Sequence, residues 1–383
     1  PLPGFFSQSQ LAHALTQTGA DTVLTDQPAR IVDLGLGFAV IGQANGLMRM
    51  WRSTAERPLP PTTAKISFTS GSTGAPRGVC LSAAGLLDTA VAVAGRLADL
   101  AIGRHLAVLP LSLLLENSAG LHAPLLLGAE ICVAGLQTLG WRGMAGFDPV
   151  ALQQTVVASG ANSLILVPEL LKMWTLYLAA SGQVAASDMR YVAVGGARVA
   201  PALLARARAL GLPAHQGYGL TECGSVVSLN RPGDDGDGVG RPLPHVSVRI
   251  ADGEVVVGGR AFLGYVGEEP SLPATAPAGV EFATGDLGRL DGDGHLHLGG
   301  RSKNLLITSF GRNVAPEWVE SLLLAEPAIA QAVVVGDGMP WLSALLVATP
   351  GADGGALAAA VERVNASLPD YARIVGWLPA APF

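Results

Sequence analysis

A chain of 383 residues, 49% hydrophobic and only 14% charged, is long enough for two or three packed domains and excludes a disordered protein. A net charge of -6 without any Lys/Arg run argues against a nucleic-acid partner. Three isolated cysteines, Cys80, Cys132 and Cys223, exclude a disulfide framework or a zinc site and fit a reducing, cytoplasmic setting.

Leu11, Leu15 and Ala20 recur at helical spacing, and Thr22-Val23-Leu24 follows as a short strand. The segment GLGFAVIG at Gly35–Gly42 imitates a dinucleotide fingerprint, but its third glycine is displaced and no acidic partner follows at a usable distance. The longest apolar run, Leu106 to Leu115, holds Pro110 and Ser112 and stops at Glu116-Asn117. It falls short of the ~20 residues that a spanning helix needs, so no transmembrane segment is expected despite a mean hydropathy of +0.41. No signal-peptide pattern is visible. Helix-then-strand units are predicted over Pro149–Val167 and Ala200–Ala214, and Tyr191–Val194 is uniformly apolar, as strands of a doubly covered parallel sheet are. Beyond Gly238 the pattern alternates about an Asp252-Gly253 turn and predicts a β-hairpin. Asp291-Gly292-Asp293-Gly294 reads as a hairpin turn rather than a calcium loop, because the bidentate Glu is absent, and His295 and His297 lack a third ligand.

The last eighty or so residues predict a helix over Glu317–Leu324, strands over Gln331–Val335 and Ser343–Thr349, and a helix over Ala356–Ser367. The fold class is therefore α/β: a large N-terminal body over residues 1–301 with parallel sheets and a β-rich subdomain, then a small α+β C-terminal domain over 302–383. The closing Pro379–Phe383 predicts no terminal element, and both ends read as cut, since the chain opens on Pro1-Leu2-Pro3.

The chemistry is concentrated in three places. An apolar strand runs into Thr69-Ser70-Gly71-Ser72-Thr73-Gly74-Ala75-Pro76-Arg77, where glycines let the backbone close on an anion, hydroxyls donate to it and Arg77 neutralises it. The spacing is not that of a Walker loop, and the alternative is a Gly/Ser surface turn. In Gly217-Tyr218-Gly219-Leu220-Thr221-Glu222 an aromatic ring beside glycines can lie against a purine, with a hydroxyl for phosphate and a hard oxygen ligand for Mg²⁺. In Thr284-Gly285-Asp286 and Gly300-Arg301-Ser302-Lys303 a carboxylate backed by an Arg fits a ribose diol, though a carboxylate in a β-turn is an equal reading of either alone.

In order and wording these segments resemble the adenylate-forming superfamily of acyl-CoA synthetases, luciferases and peptide-synthetase adenylation domains. TSGSTGAPRGV, GYGLTE, TGD and GRSKNLLITSFGRNVAPEWVE stand where its phosphate, adenine and magnesium, ribose and hinge motifs stand, and the resemblance covers essentially the whole chain. It implies that Thr69, Ser70, Gly71, Ser72, Thr73, Gly74 and Arg77 hold the phosphates of ATP. Gly195, Gly196, Ala197, Tyr218 and Gly219 would enclose adenine, Thr221 would meet the α-phosphate, and Glu222 would ligate magnesium. Asp286 and Arg301 would hold ribose, and Lys303 would be the hinge of a mobile C-terminal domain whose loop at Gly311 faces the thiol channel. Arg77 replaces the usual Lys, and Leu113 stands where many members carry a His beside the acyl site. The adenylation lysine of the superfamily is expected beyond Phe383.

The implied activity is ATP- and Mg²⁺-dependent activation of a small-molecule carboxylic acid as acyl-AMP, with transfer to coenzyme A. The wording sits nearest long-chain fatty acyl-CoA synthetases. A carrier protein as acceptor and a non-catalytic nucleotide- or acyl-binding remnant are the alternatives.

Overall fold

The four residues Ser163–Leu166 are all buried, so this strand needs cover on both faces. The computed structural model, which describes residues 2–69, 76–143, 146–185, 188–234, 238–268 and 280–383, places it inside a seven-stranded sheet. The order is Arg241–Pro242, Ser228–Leu229, Ala214–Tyr218, Tyr191–Val194, Ser163–Leu166, Arg104–Ala107, Glu130–Val133. From Ala214–Tyr218 to Glu130–Val133 the strands are parallel, and the remaining two extend the sheet antiparallel. Helices Pro149–Ser159, Pro168–Ser181 and Pro201–Ala209 cover one face, each opening on a proline where the missing N–H is harmless. Between them and the sheet lie Leu106, Leu164, Leu166, Val192 and the fully buried Trp174.

Helix Ala83–Leu97 and the segment after Pro110 cover the opposite face. The long apolar run thus divides between a strand and a covering segment that winds as a π-helix over Glu116–His122. Among the described residues no helix is long and apolar enough to cross a membrane.

Smaller sheets frame this body. Ser247–Ala251 and Glu254–Gly259 form the expected hairpin, with φ of 51° at Asp252 and 82° at Gly253 as a type I′ turn requires. They continue into Val280–Leu290 and Leu296–Arg301. Thr63–Thr69 pairs with Arg77–Ser82, which pairs with Phe262–Tyr265. Near the N-terminus, Ala39–Ala44 and Leu47–Trp51 pair antiparallel, so the glycine-rich 35–42 segment leads into a hairpin and not into a dinucleotide turn.

At the C-terminal end, Ile329–Val335, Leu342–Ala348 and Ile374–Pro379 form a sheet packed on helices Pro316–Leu324 and Gly354–Ser367. The last strand was not predicted; it ends at Pro379, and residues 380–383 carry no element. Asn365 fixes its start, accepting from the Ile374 N–H and donating to the Ile374 carbonyl, both at 2.8 Å. Pro379 is tolerated because it ends an edge strand.

Two cations join this unit to the body. Lys172 Nζ donates to the carbonyls of Glu326 (2.7 Å) and Ile329 (2.5 Å), and Arg206 donates to that of Ala325 at 3.3 Å. They meet the carbonyl end of the Pro316–Leu324 helix, where its dipole favours positive charge. Burial, and then the neighbouring Arg206, lower Lys172 from 10.5 to about 8. Part of that burial comes from the C-terminal unit, so an undocked Lys172 keeps its proton to higher pH than the docked one, and rising pH above about 8 favours docking. Amide exchange in Pro316–Leu324, corrected for its intrinsic rate, is expected to slow from pH 8 to 10, and Lys172→Met to remove that trend. Protection that falls with pH would contradict this assignment.

Candidate active site

Ligands of open parallel sheets lie outside the carboxyl ends of the strands, and there the central strands end in glycine. A Cβ on Gly219 would stand 1.6 Å from the Ser225 carbonyl oxygen, and one on Gly217 2.8 Å from Leu229 Cδ1. Only glycine lets these segments pack so closely. Gly195 is buried next to Gly217, whereas Gly196 and Ala197 are exposed, so the edge of the crevice is bare backbone.

Tyr218 leaves the Ala214–Tyr218 strand and donates its hydroxyl to Asp286 Oδ2 at 2.6 Å. Asp286 and Arg301 are register partners on adjacent antiparallel strands, and Arg301 Nε lies 2.7 Å from Asp286 Oδ1. Burial lifts the Asp286 carboxyl above its ordinary range, while Tyr218 and Arg301 pull it back. Burial and this carboxylate push the Tyr218 phenol upward. The structure thus joins three of the sequence-derived residues in one unit, Tyr218 by a hydrogen bond and Arg301 by an ion pair to Asp286. Each carboxylate oxygen keeps a lone pair that can accept a hydroxyl from a diol.

Thr221 and Glu222 sit in a 3₁₀ turn, Thr221–Cys223, closed by Gly224 at φ 73°. Glu222 Oε1 accepts the Tyr265 hydroxyl at 2.9 Å, and the Tyr265 ring lies under the Arg77 guanidinium at 3.7 Å. Burial, then Glu222, push the Tyr265 phenol up to about 12. Thr69 and Arg77 face each other across a ladder and bracket the glycine- and hydroxyl-rich loop. Ser70, Gly71, Ser72, Thr73 and Gly74 lie outside the described residues. Arg77 also pairs with Glu268, but both side chains are about half exposed, so this ion pair contributes little and an anion can displace it. Lys303 is exposed in the turn Ser302–Asn304, two residues past Arg301.

Magnesium suits this donor set. It keeps several waters and takes phosphate oxygens, so it needs one or two carboxylates and not a protein cage. Among the described residues no group of three or more His, Cys, Asp or Glu could hold a metal. His297 instead turns back on Asp291 at 2.8 Å, and His295 pairs with Asp234 at 3.0 Å, so both rings are committed to carboxylates of the protein.

Tyr265 escaped the sequence reading, because its strand pairs with Arg77–Ser82 across nearly two hundred residues. It links Arg77 to Glu222. Tyr265→Phe is expected to weaken the magnesium dependence of nucleotide binding roughly tenfold by calorimetry, since groups orienting a metal ligand carry effects of that order. Unchanged magnesium dependence would show that Glu222 is oriented by something else.

The crevice opens into a cavity of about 360 Å³. Gly195, Gly196, Tyr218 and Thr221 form its mouth, and Val93, Leu97, Leu109, Leu113, Leu127 and Ile165 its walls. Leu113 is thus an apolar wall of this cavity. Deeper in stand His105 and Ser163, which the sequence reading passed over because each lies inside an apolar strand.

Comparison with known proteins bears on the family and the fold. A family profile described as "AMP-binding enzyme" matches residues 1–266, and one described as "AMP-binding enzyme C-terminal domain" matches 303–378. The long-chain-fatty-acid–CoA ligase FadD15 of Mycobacterium tuberculosis is 42% identical over 166 residues, 43% of this chain and 28% of the relative. The indoleacetate–CoA ligase of Aromatoleum aromaticum is 30% identical over 296 residues, 72% of this chain and 55% of the relative. The o-succinylbenzoate coenzyme A synthetase MenE of Bacillus subtilis, solved with ATP and a magnesium ion, shares the fold. Its TM-score is 0.72 at 24% identity, over 99% of this chain and 79% of that one. The chain spans 28% to 61% of the length of the curated relatives that match it first. With its fold, its motifs and its matched residues in agreement, the chain belongs to the AMP-binding enzyme family.

Proposed function

We propose that this protein activates a carboxylic acid with ATP and magnesium as an acyl-adenylate and passes the acyl group to the thiol of coenzyme A. The observation that carries this reading is the continuity of the crevice with the cavity. The mouth residues Tyr218 and Thr221 belong both to the nucleotide motif and to an apolar chamber of about 360 Å³. Asp286, held by Tyr218 and Arg301, would accept the ribose hydroxyls. Glu222, oriented by Tyr265, would hold magnesium, which when bound supplies charge neutralisation at the phosphates. Arg77, once it leaves Glu268, would take charge on the departing pyrophosphate, with the loop after Thr69 as further donors. The glycine-lined mouth lets the acid carboxylate approach the α-phosphate, and the leucine walls exclude water from the mixed anhydride. Lys303 would serve as the hinge between residues 1–301 and 302–383.

The aliphatic character of the walls and the 42% identity to a relative named for long-chain fatty acids support a fatty acid; the relative named for indoleacetate makes an aryl acid the competing substrate. Coenzyme A thioester formation, followed by mass spectrometry over aliphatic and aryl acids, tests this. Decanoate is expected to exceed indoleacetate and benzoate at least tenfold in kcat/KM, roughly what a few buried methylenes contribute. A preference for either aryl acid would overturn the aliphatic assignment.

A further inference from the structure

The cavity has a polar floor. His105 and Ser163 are register partners on adjacent strands, and Ser163 is in turn partnered with Tyr191. Two residues further along the same face come Ile165 and Ala193, and beyond these Val167 and Gly195 at the mouth. At ~3.3 Å per residue, the four steps from Ser163 to Val167 put the floor ~13 Å below the mouth.

Behind the floor lies Glu116, with no exposed surface, while His105 and Ser163 are 3% and 2% exposed. Burying three polar groups against an apolar chamber is costly unless each is paired. Glu116 Oε2 accepts the Leu109 N–H at 3.0 Å, and Oε1 faces His105 Nε2 at 3.3 Å. A carboxylate oxygen can only accept, so the ring proton is assigned to Nε2. In the neutral ring Nδ1 then accepts, and its partner is Ser163 Oγ at 2.8 Å. The Ser163 proton is thereby committed to His105, and its oxygen lone pairs are left for the cavity. Tyr191, in the same row, gives its hydroxyl to the Asn230 carbonyl at 2.6 Å. The π-helix Glu116–His122 brings Gly120 so close that a Cβ there would stand 2.1 Å from Glu116 Oε1 and 3.0 Å from His105 Nε2. π-Helical turns are rare and concentrate at functional sites.

Resting on the acid-activating reading above, we infer that the acid bears a hydrogen-bond donor, a hydroxyl, at the end remote from its carboxylate, and that Ser163 receives it. Ser163 is then a specificity-determining residue, and His105 and Glu116 are positioning residues that set which way its hydroxyl points.

The test uses decanoic, ω-hydroxydecanoic and ω-methoxydecanoic acids, each measured twice: by calorimetric binding and by acid-dependent ATP–pyrophosphate exchange. The hydroxy acid is expected to exceed decanoic acid roughly tenfold or more, because a site built around a hydroxyl discriminates strongly against its absence. The methoxy acid, which accepts but cannot donate, gains nothing. Ser163→Ala brings the hydroxy-to-plain ratio to about one. Glu116→Gln presents a donor to His105, moves the ring proton to Nδ1 and turns the Ser163 hydroxyl towards the cavity, so the methoxy acid, which can now accept from it, rises above decanoic acid and approaches the hydroxy acid, a gain that mere loss of packing would not produce. Exchange without hydroxyl preference would overturn the inference and leave the activity standing. Hydroxyl-selective binding without exchange for any acid would retain the subsite and remove the activity. Equal binding of all three acids without exchange would remove both.

Discussion

Glu222→Gln is expected to lower acid-dependent pyrophosphate exchange by roughly two to three orders of magnitude, the several kcal/mol that a metal's charge supplies at a transferring phosphate. Glutamine keeps the volume of the side chain, and its carbonyl can still accept the Tyr265 hydroxyl now at 2.9 Å, so the turn Thr221–Cys223 has no reason to rearrange. The melting temperature should therefore stay near that of the unaltered protein, and excess magnesium should recover part of the activity. Near-normal exchange in this variant would remove Glu222 from the metal site and leave the fold intact.

Lys303→Pro is the second large effect, and it should divide the two half-reactions. Arg301, two residues earlier, is tied to Asp286, whereas Ser302–Asn304 is a short exposed turn before Leu306–Ile307 opens the C-terminal unit. Proline fixes φ near -65° and removes an N–H, which an exposed turn tolerates and a rotating one does not. Thioester formation from preformed acyl-AMP is expected to slow roughly tenfold to a hundredfold, while adenylation stays within about threefold, as rapid-quench measurement of each step would show. Equal losses in both steps would place the hinge elsewhere.

What the sequence made legible was local in origin. The uniformly apolar Tyr191–Val194 and the alternating Ser247–Ala251 carry their environments in their own patterns, because burial on two faces or one dictates composition. Tyr218, Asp286 and Arg301 were legible as separate motifs; the register of Val280–Leu290 with Leu296–Arg301 explains why the last two meet, and the Tyr218 hydroxyl reaches Asp286 from another sheet. The pairing of Asn45-Gly46 with its flanking strands had a signal that was passed over, since Asn-Gly is a strong hairpin turn and both residues have positive φ, 51° and 79°. Other features had no local signal. Tyr265 reaches Glu222 through a long-range strand pairing, and Glu116 became a partner of His105 only through the π-helical turn that carries it. Strand Ile374–Pro379 was hidden by Gly376 and Pro379, residues that disfavour strands except at an edge such as this one.

Exchange of labelled pyrophosphate into ATP, run with and without magnesium and with and without an apolar carboxylic acid, tests the central claim most directly. Exchange that requires both the acid and the metal is the expected result, since the reversal of adenylation needs the nucleotide crevice and the chamber to act on one substrate pair. Exchange independent of added acid, or ATP binding with no exchange for any aliphatic or aryl acid, would contradict it.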